Sequence, residues 1–416
     1  MIEAPKGTYD VLPVAAEARA VLEGHAQQIL GRAGFKRIET PVFESTELFV
    51  RGVGEATDVV QKEMYTFTDQ GGRALTLRPE GTAPIARAYI EHGMHKLPQP
   101  VKFWYLSSFF RQERPQAGRY RQFWQVGAET IGSERPEVDA ELIVLLAELL
   151  ETMGVKGVRL RLASLGTPET RAQYREELTS YLHAHEAQLS AEVKARIELN
   201  PLRAFDSSDP STQAVMKGAP KLLDQLRPED KEHFDSVKAL LDVVGLIYEL
   251  DPTLVRGLDY YTRTLFEFTA DGLGAQSGVG GGGRYDRLIE QIGGQSTPAC
   301  GWAAGIERIL LAGSEVPVAA DTVDLLVAPA ADRLAGATAP EFELAREARR
   351  AGLAAQLELT GRSLKAALKH ADRLGARYVA IVSDAEHVSL KEMATGEQHE
   401  LSADAVIAAI LRGPRL

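Results

Sequence analysis

The sequence predicts an α+β fold in which a large domain built on an antiparallel sheet is interrupted by a helical insertion and followed by a small α/β domain. Three observations predict it. Strand-patterned stretches turn back on themselves around tight loops at residues 63–78 and 101–131, the local signature of antiparallel pairing. Between residues 167 and 246 the composition shifts, and the chain becomes helix-patterned, charged and poor in β-branched runs. From residue 323 onward strands and helices alternate as βαβαββα, the order of a mostly parallel sheet with crossover helices.

Each element has its own reason. Residues 14–33 read as a long helix, followed by a short strand ending near Pro41. Residues 63–78 read as a hairpin turning at Gly71-Gly72, and strands near 101–113 and 119–131 as a second hairpin with Pro115 and Gly118 in its loop. Pro136 to Met153 is an amphipathic helix with a proline near its start, where the missing N–H has no helical partner to lose. Residues 158–164 are a strand, and the helical insertion carries breaks at Pro201, Pro210, Pro220 and Pro228. Strands return at 247–269, then a helix at 285–292, a strand at 299–304 and a helix at 306–312. In the last domain Val323–Ala328, Leu353–Leu359 and Tyr378–Ser383 are strands, Pro340–Ala351 and Ser363–Leu374 are helices, and Ser363 is placed as a cap. Val388–Met393 and Gln398–Leu401 form a hairpin turning near Gly396, and Ser402–Leu411 is the closing helix. The resulting plan is 1–166, the insertion 167–246, 247–312, a linker 313–322, and 323–416.

Composition excludes several classes. A chain of 416 residues, 44% hydrophobic and 25% charged, suits a soluble globular protein of two or three domains. One cysteine, Cys300, leaves no internal disulfide and no cysteine-based zinc site. The nine histidines show no HExxH spacing, and His92 and His95 lack a third ligand nearby, so no protein-bound metal is expected. The start of the chain has no basic-then-apolar pattern, and the longest apolar run, Leu142 to Leu150, is interrupted by Glu148 and too short to span a bilayer. A cytoplasmic protein with no membrane partner is the expectation. The net charge of −11 argues against a general positive field for nucleic acid, but a local basic patch suffices for a shaped contact.

The chemistry is concentrated in three stretches. Phe109 to Gln125 holds arginines at 111, 114, 119 and 121, with Phe123 close by. Guanidinium groups hold phosphates and carboxylates through planar, bidentate hydrogen bonds, and an aromatic ring can stack on a purine. Strand alternation puts Arg121, Phe123, Gln125, Gly127 and Glu129 on one face, a poor core and a good polar site. The bland alternative is a solvated face of weak surface ion pairs. The second stretch, Leu254 to Thr264, gathers two Arg, one Asp and two Tyr around Gly257, and Gly280 to Leu288 follows with a run of glycines before Arg284-Tyr285-Asp286-Arg287. In the third, Gly301 to Leu310, a small-residue strand runs into a helix carrying Arg308. Gly278 to Gly283 formally matches GxGxxG, yet the acidic residue that a dinucleotide site wants about 20 positions on is missing. No Gly-Lys dipeptide exists to make a Walker A loop.

These segments resemble motif 2, the histidine-specific motifs and motif 3 of the histidyl-tRNA synthetases, a class II aminoacyl-tRNA synthetase family. Lys6 to Pro13 is similar to the family's N-terminus, Gly34 to Pro41 to motif 1, and Leu77 to Thr82 to the loop that binds the amino group of the amino acid. The resemblance runs from residue 6 to the end, with several independent motifs in the family's order.

The resemblance implies a histidine–tRNA ligase, with ATP as substrate, Mg²⁺ bridging its outer phosphates, tRNA for histidine as partner, and a homodimer. It implies catalytic roles for Arg111, Arg256 and Arg308. Arg111 would serve the α-phosphate and the amino acid's carboxylate, Arg308 the γ-phosphate end, and Arg256 the α-phosphate, where other class II enzymes use a metal ion. Arg121 also falls in the ATP set, while Glu113 and Phe123 would hold adenine. Glu80, Gly81, Thr82 and Gln125 match the ammonium side of histidine, and Glu129, Tyr260 and Tyr261 its ring. A site that hydrogen-bonds a side chain rejects analogues lacking it by roughly 10⁴–10⁵, so hydrolytic editing is unnecessary and the insertion reads as a tRNA clasp or a shaper of the dimer. The last domain resembles the anticodon-binding domain of class II synthetases. Two rivals share parts of this pattern: the synthetase-like regulatory subunit of ATP phosphoribosyltransferase, which typically lacks the anticodon domain, and a class II synthetase for threonine, proline or glycine. The intact arginines, the Arg-Gly-Leu-Asp-Tyr-Tyr stretch and the C-terminal domain weigh against the first, and the Arg256 segment and the Gly-Gly-Arg-Tyr-Asp segment against the second. Trp124 and Trp302 depart from the family, where histidine and phenylalanine respectively are frequent. Alternation turns Trp124 away from the ligand face, as a packing residue.

Overall fold

The structure is a computed structural model that describes residues 2–55, 57–254, 256–273, 277–314, 323–330 and 339–412. The chain divides into two compact units, Met1–Val316 and Pro317–Leu416.

In the first unit the strands are β1 (Lys36–Arg37), β2 (Phe43–Ser45), β3 (Tyr65–Thr68), β4 (Ala74–Leu77), β5 (Val101–Phe110), β6 (Gln122–Ile131), β7 (Arg159–Ser164), β8 (Tyr248–Leu250), β9 (Thr262–Thr269), β10 (Gly278–Arg284) and β11 (Ala299–Gly305). Among the described residues, eight of them make one sheet in the order β1-β5-β6-β11-β10-β9-β7-β8, and β2-β4-β3 form a small separate sheet. The centre of the large sheet is antiparallel, as predicted, while its edge pairs β1–β5 and β7–β8 are parallel. The arginine hairpin is in register from Val101↔Ile131 to Phe110↔Gln122. Both of its strands stop short of the predicted ends, because Pro115, the left-handed Gly118 (φ +70°) and an isolated Gln116↔Arg119 bridge close the loop on itself.

The helices of this unit are α1 (Pro13–Arg32), α2 (Thr46–Val53), α3 (Thr82–Glu91), α4 (Pro136–Thr152), α5 (Pro168–Ala184), α6 (Ala191–Lys194), α7 (Pro210–Met216), α8 (Pro228–Val243), α9 (Leu288–Gln291) and α10 (Ile306–Ala312). Residues 168–243 are helical with no strand among them, as the compositional shift predicts. Pro210 and Pro228, read as breaks, are helix starts: proline sits in the first turn, where its missing N–H costs no bond. Two helices escape sequence reading. α2 is only 8 residues long, and α3 is buried over most of its circumference, so it shows little amphipathic stripe. Two readings are corrected. The predicted helix 285–292 shrinks to α9, and the continuous strand reading of 247–269 gives way to β8 and β9 around a non-strand segment containing Pro252 and Gly257.

The second unit contains β12 (Leu325–Pro329), α11 (Ala339–Arg350), β13 (Ala355–Leu357), α12 (Leu364–Arg373), β14 (Tyr378–Val382), β15 (Val388–Glu392), β16 (Gln398–Leu401) and α13 (Ala403–Arg412). Its sheet order is β13-β12-β14-β15-β16. β12 is parallel to β13 and β14, whereas β14, β15 and β16 pair antiparallel, so the sheet is less parallel than predicted because the terminal hairpin joins it directly. Ser363 occupies the N-cap position of α12, but its side chain makes no capping hydrogen bond. Most of the predicted linker, residues 315–322, lies outside the described residues.

Strand alternation sorts the large sheet into two faces. Val126, Ala128, Cys300, Trp302 and Ala304 pack with Leu22 of α1 and Leu142, Leu146 and Leu149 of α4 into one apolar core. Tyr105, Phe109, Tyr260, Tyr261, Leu265 and Tyr285 cluster on the other face, and the candidate site opens there. Among the described residues no helix is long and apolar enough to cross a membrane.

Candidate active site

The ligand face of the sheet carries a polar cavity of about 580 Å³. Arg111, Arg119, Arg161, Arg256 and Arg308 line it against Glu113, Glu267 and Glu307, with Phe123, Gln125 and the small residues Gly278, Gly280, Ala303 and Gly305 as its floor. An adjoining recess of about 50 Å³ is lined by Glu80, Gly81, Thr82, Tyr105, Tyr260, Tyr261 and Tyr285. Arg111, Gln125, Arg256 and Ala303 belong to both, so they mark the passage between an arginine-rich chamber and a tyrosine-rich one.

The arginines are held from behind. Arg111 Nε donates to the Pro79 carbonyl at 2.8 Å, and its guanidinium lies 5.4 Å from the centre of the Phe123 ring. Arg308 Nε donates to the Gly278 carbonyl at 2.6 Å. Arg256 Nη1 donates to Glu267 Oε1 at 2.8 Å, and the other Glu267 oxygen takes Arg161 at 3.0 Å. Glu113 pairs with Arg119 at 2.9 Å. Backbone and carboxylate acceptors fix the orientation of each guanidinium.

The recess is drier and more constrained. Glu80 is buried, and its two oxygens accept the Thr82 and Ala83 N–H groups at 2.8 and 2.9 Å, capping the start of α3. Burial raises the Glu80 carboxyl above its usual range, and those two N–H donors pull it back. Glu129 is wholly buried; it accepts the Thr82 hydroxyl at 2.8 Å and the Tyr285 hydroxyl at 2.5 Å. Burial pushes its pKa up to about 8, against the opposing pull of those hydroxyls. The strand opposite must be bare for this carboxylate to fit, since a Cβ on Gly301 would lie 1.6 Å from Glu129 Oε2. Gly127 is bare for the same reason, as its Cβ would meet the Tyr105 ring at 2.3 Å. Three of the residues lining the recess carry a buried polar atom with no protein partner: Gln125 Oε1, the Tyr105 hydroxyl and Trp302 Nε1. A buried polar atom without a partner is costly.

The structure thus brings together Arg111, Glu113, Phe123, Gln125, Arg256, Arg308, Glu80, Gly81, Thr82, Glu129, Tyr260 and Tyr261. It does not bring Arg121 to the cavity. That residue precedes β6, and its guanidinium turns to the Glu113 and Lys6 carbonyls, each at 3.4 Å. The alternation argument therefore fails for Arg121, because it presumed a strand where the loop is still closing. Tyr105, Tyr285, Arg119 and Glu267 were missed by sequence reasoning. Arg119 lay in the arginine stretch and Tyr285 at the end of the glycine run, so both had a signal. Tyr105 and Glu267 had none, being single polar residues in apolar-patterned strands.

Trp124 faces away from the cavity, packing against the apolar core with the Arg19 guanidinium 4.1 Å from its ring centre. Its backbone N–H donates to Glu307, the neighbour of Arg308 on α10. Trp124→His should lower stability by about 1–3 kcal/mol while steady-state constants move little. Melting and kinetics of this variant check it. A large rise in KM with unaltered melting would reverse the face assignment.

Among the described residues no group of three or more His, Cys, Asp or Glu could hold a metal ion.

Comparison with known proteins identifies the family and the fold. Residues 7–309 match the histidyl-tRNA synthetase family, and residues 324–412 match the anticodon binding domain. The chain is 46% identical over 408 residues to the histidine–tRNA ligase of Halothermothrix orenii, covering 96% of each protein. It is 46% identical over 401 residues to that of Thermosynechococcus vestitus, covering 95% of this chain and 93% of the other. The apo histidyl-tRNA synthetase of S. aureus superposes with a TM-score of 0.80 at 34% identity, covering 99% of this chain and 100% of that one. A Bacillus halodurans ATP phosphoribosyltransferase regulatory subunit/histidyl-tRNA synthetase shares the fold, with a TM-score of 0.63 at 22% identity over 89% of this chain and 96% of that one. With the first unit matched almost throughout, the second matched as an anticodon-binding domain, and relatives at 46% identity along nearly their whole length, this chain belongs to the histidyl-tRNA synthetase family.

Proposed function

We propose the following division of labour for histidine–tRNA ligation in this chain. Histidine enters the tyrosine-rich recess, with its ring toward Glu129, Tyr260 and Tyr261 and its ammonium toward Gln125, Glu80 and Thr82. ATP lies in the arginine-rich cavity, its adenine between Phe123 and Glu113, its α-phosphate at Arg111 and Arg256 and its γ-phosphate end at Arg308; Mg²⁺ brought in with ATP would neutralise charge on its phosphates. The observation that carries this reading is the passage between the chambers. Arg111 and Arg256 line both, so one pair of guanidiniums reaches the amino acid's carboxylate and the phosphate it attacks.

The carboxylate oxygen forms a bond to the α-phosphorus as the bond from that phosphorus to the bridging oxygen breaks, and pyrophosphate leaves. A ribose hydroxyl at the tRNA 3′ end then attacks the carbonyl carbon, giving up its proton, and AMP departs. Such in-line chemistry needs alignment and charge neutralisation more than a base, which is what fixed guanidiniums supply. ATP–pyrophosphate exchange measured across the amino acids tests the reading: exchange should depend on histidine, and dependence on another amino acid would overturn it.

The domain plan divides the work. Residues 1–166 and 247–312 carry activation, 167–246 clasp tRNA or shape the dimer, and 323–416 read the anticodon. The protein works in the cytoplasm as a homodimer. A chain ending near Glu315 should retain pyrophosphate exchange, because every ligand residue named above precedes that point, and should charge tRNA much more weakly. Equal charging by both forms would refute this plan.

A further inference from the structure

The segment 256–263, which carries Tyr260 and Tyr261, is tied to the sheet through Arg256–Glu267 and the Thr262↔Arg284 pair, and also to the helices that interrupt the sheet. Arg171, in the first turns of α5, donates through Nη1 to the Tyr261 carbonyl at 2.7 Å. At the end of the segment, Arg263 Nε reaches Asp230 Oδ1 of α8 at 3.2 Å. Asp230 is fully buried and also accepts the Thr167 N–H at 2.9 Å and the Thr170 hydroxyl at 2.8 Å, so it is a fixed anchor. Ahead of both points the carboxylate of Asp259 faces Arg171, Arg203 and Arg175. All three arginines lie in residues 167–246.

The backbone at the end of the segment is held as well, by the residues that follow β7. Arg263 has φ +44°, and among the described residues it is the only non-glycine with a left-handed backbone. Such a conformation persists only where the surroundings over-determine it. Here they do: the Arg263 N–H donates to the Gly166 carbonyl at 2.8 Å, and its carbonyl accepts the Leu165 N–H at 2.7 Å. The segment ends in this turn, and the two tyrosine rings before it, 4.7 Å apart, line the recess.

We propose that Arg171 is a positioning residue for histidine recognition. Its guanidinium fixes the Tyr261 carbonyl and so sets the aim of the Tyr260 and Tyr261 rings. Residues 167–246 are thereby part of the amino-acid site without touching the amino acid, and histidine affinity follows how those helices are seated. This rests on the assignment of the two tyrosines to the substrate ring.

The test uses the full chain, with KM for histidine and for ATP from pyrophosphate exchange and melting in parallel. A hydrogen bond from a charged donor is lost in Arg171→Ala, so KM for histidine should rise roughly 10–100-fold while KM for ATP stays within about threefold. Arg171→Lys, which still carries a cationic donor, should recover most of the loss. Arg171→Met, which keeps the apolar stem and has no donor, should show the same rise in histidine KM and replaces the alanine variant if that one fails to fold. An unaltered histidine KM in a folded variant, or histidine and ATP constants rising together with lowered melting, overturns the proposal. Tyr261→Phe keeps the backbone carbonyl and removes the hydroxyl. If it leaves histidine KM unchanged, the tyrosine assignment itself fails. If it raises histidine KM while Arg171→Ala does not, positioning by Arg171 alone fails.

Discussion

Arg256→Ala should reduce histidine-dependent pyrophosphate exchange by roughly 10³-fold or more, the scale seen when a preorganised charge is removed from a phosphoryl-transfer or oxyanion site. Arg256 lines both chambers and is clamped to Glu267 at 2.8 Å, so its charge is in place before substrate arrives. Folding should survive. Glu267 keeps its second partner, Arg161, at 3.0 Å, so removing Arg256 does not strand a lone buried carboxylate. Arg256→Lys should also be poor, because an ammonium offers a point charge where two planar donors are wanted. The measurement is exchange rate together with a melting curve. An alanine variant within a few-fold of wild type in exchange would remove Arg256 from the reaction.

What could be read from the sequence, and what could not, follows from the physics of each signal. The central hairpin was legible because period-2 alternation and a Pro/Gly loop are local, and the paired register from Val101 to Phe110 follows from them. The same rule failed for Arg121, one residue before β6 begins, because alternation says nothing about where a strand starts. The recess was legible only in part. Gln125 and Glu129 came from strand parity, whereas Tyr105, on the partner strand opposite Gly127, depends on pairing between strands. Glu80 was assigned to the substrate's ammonium by resemblance, and no sequence pattern showed that both its oxygens already cap α3. The fastening of residues 256–263 to α5 and α8 joins positions up to 90 apart in sequence, so no local pattern carries it.

Glu129 is the residue on which histidine recognition should depend most. It lies behind the lining of the recess, wholly buried, with its oxygens held by the hydroxyls of Thr82 and Tyr285, two residues that line it. Glu129→Ala strands both hydroxyls and removes the ring's partner, so KM for histidine should rise roughly 10²-fold or more while KM for ATP stays within about threefold. The pKa adds a second, independent expectation. Because burial raises it from 4.5 to about 8, the folded, unliganded protein holds a proton on Glu129 at neutral pH that the unfolded chain has lost. Stability therefore falls as pH climbs from about 4.5 through about 8, and levels off above that. Histidine binding should follow the same proton. With the substrate ring placed against Glu129 as proposed, the carboxyl and the ring would share one proton below about 8, and the pair would stay neutral in total. Above it the free site has lost that proton and presents an uncompensated buried charge, so KM for histidine should climb with pH. The substrate's own α-amino group titrates in the same alkaline region, and Glu129→Gln separates the two effects. The amide keeps the shape and cannot ionise, so the variant retains only the amino-group component. Profiles of histidine KM from pH 6 to 10 for wild type and Glu129→Gln decide the matter. If the two run parallel, Glu129 does not titrate in the site, and the ring's partner lies elsewhere.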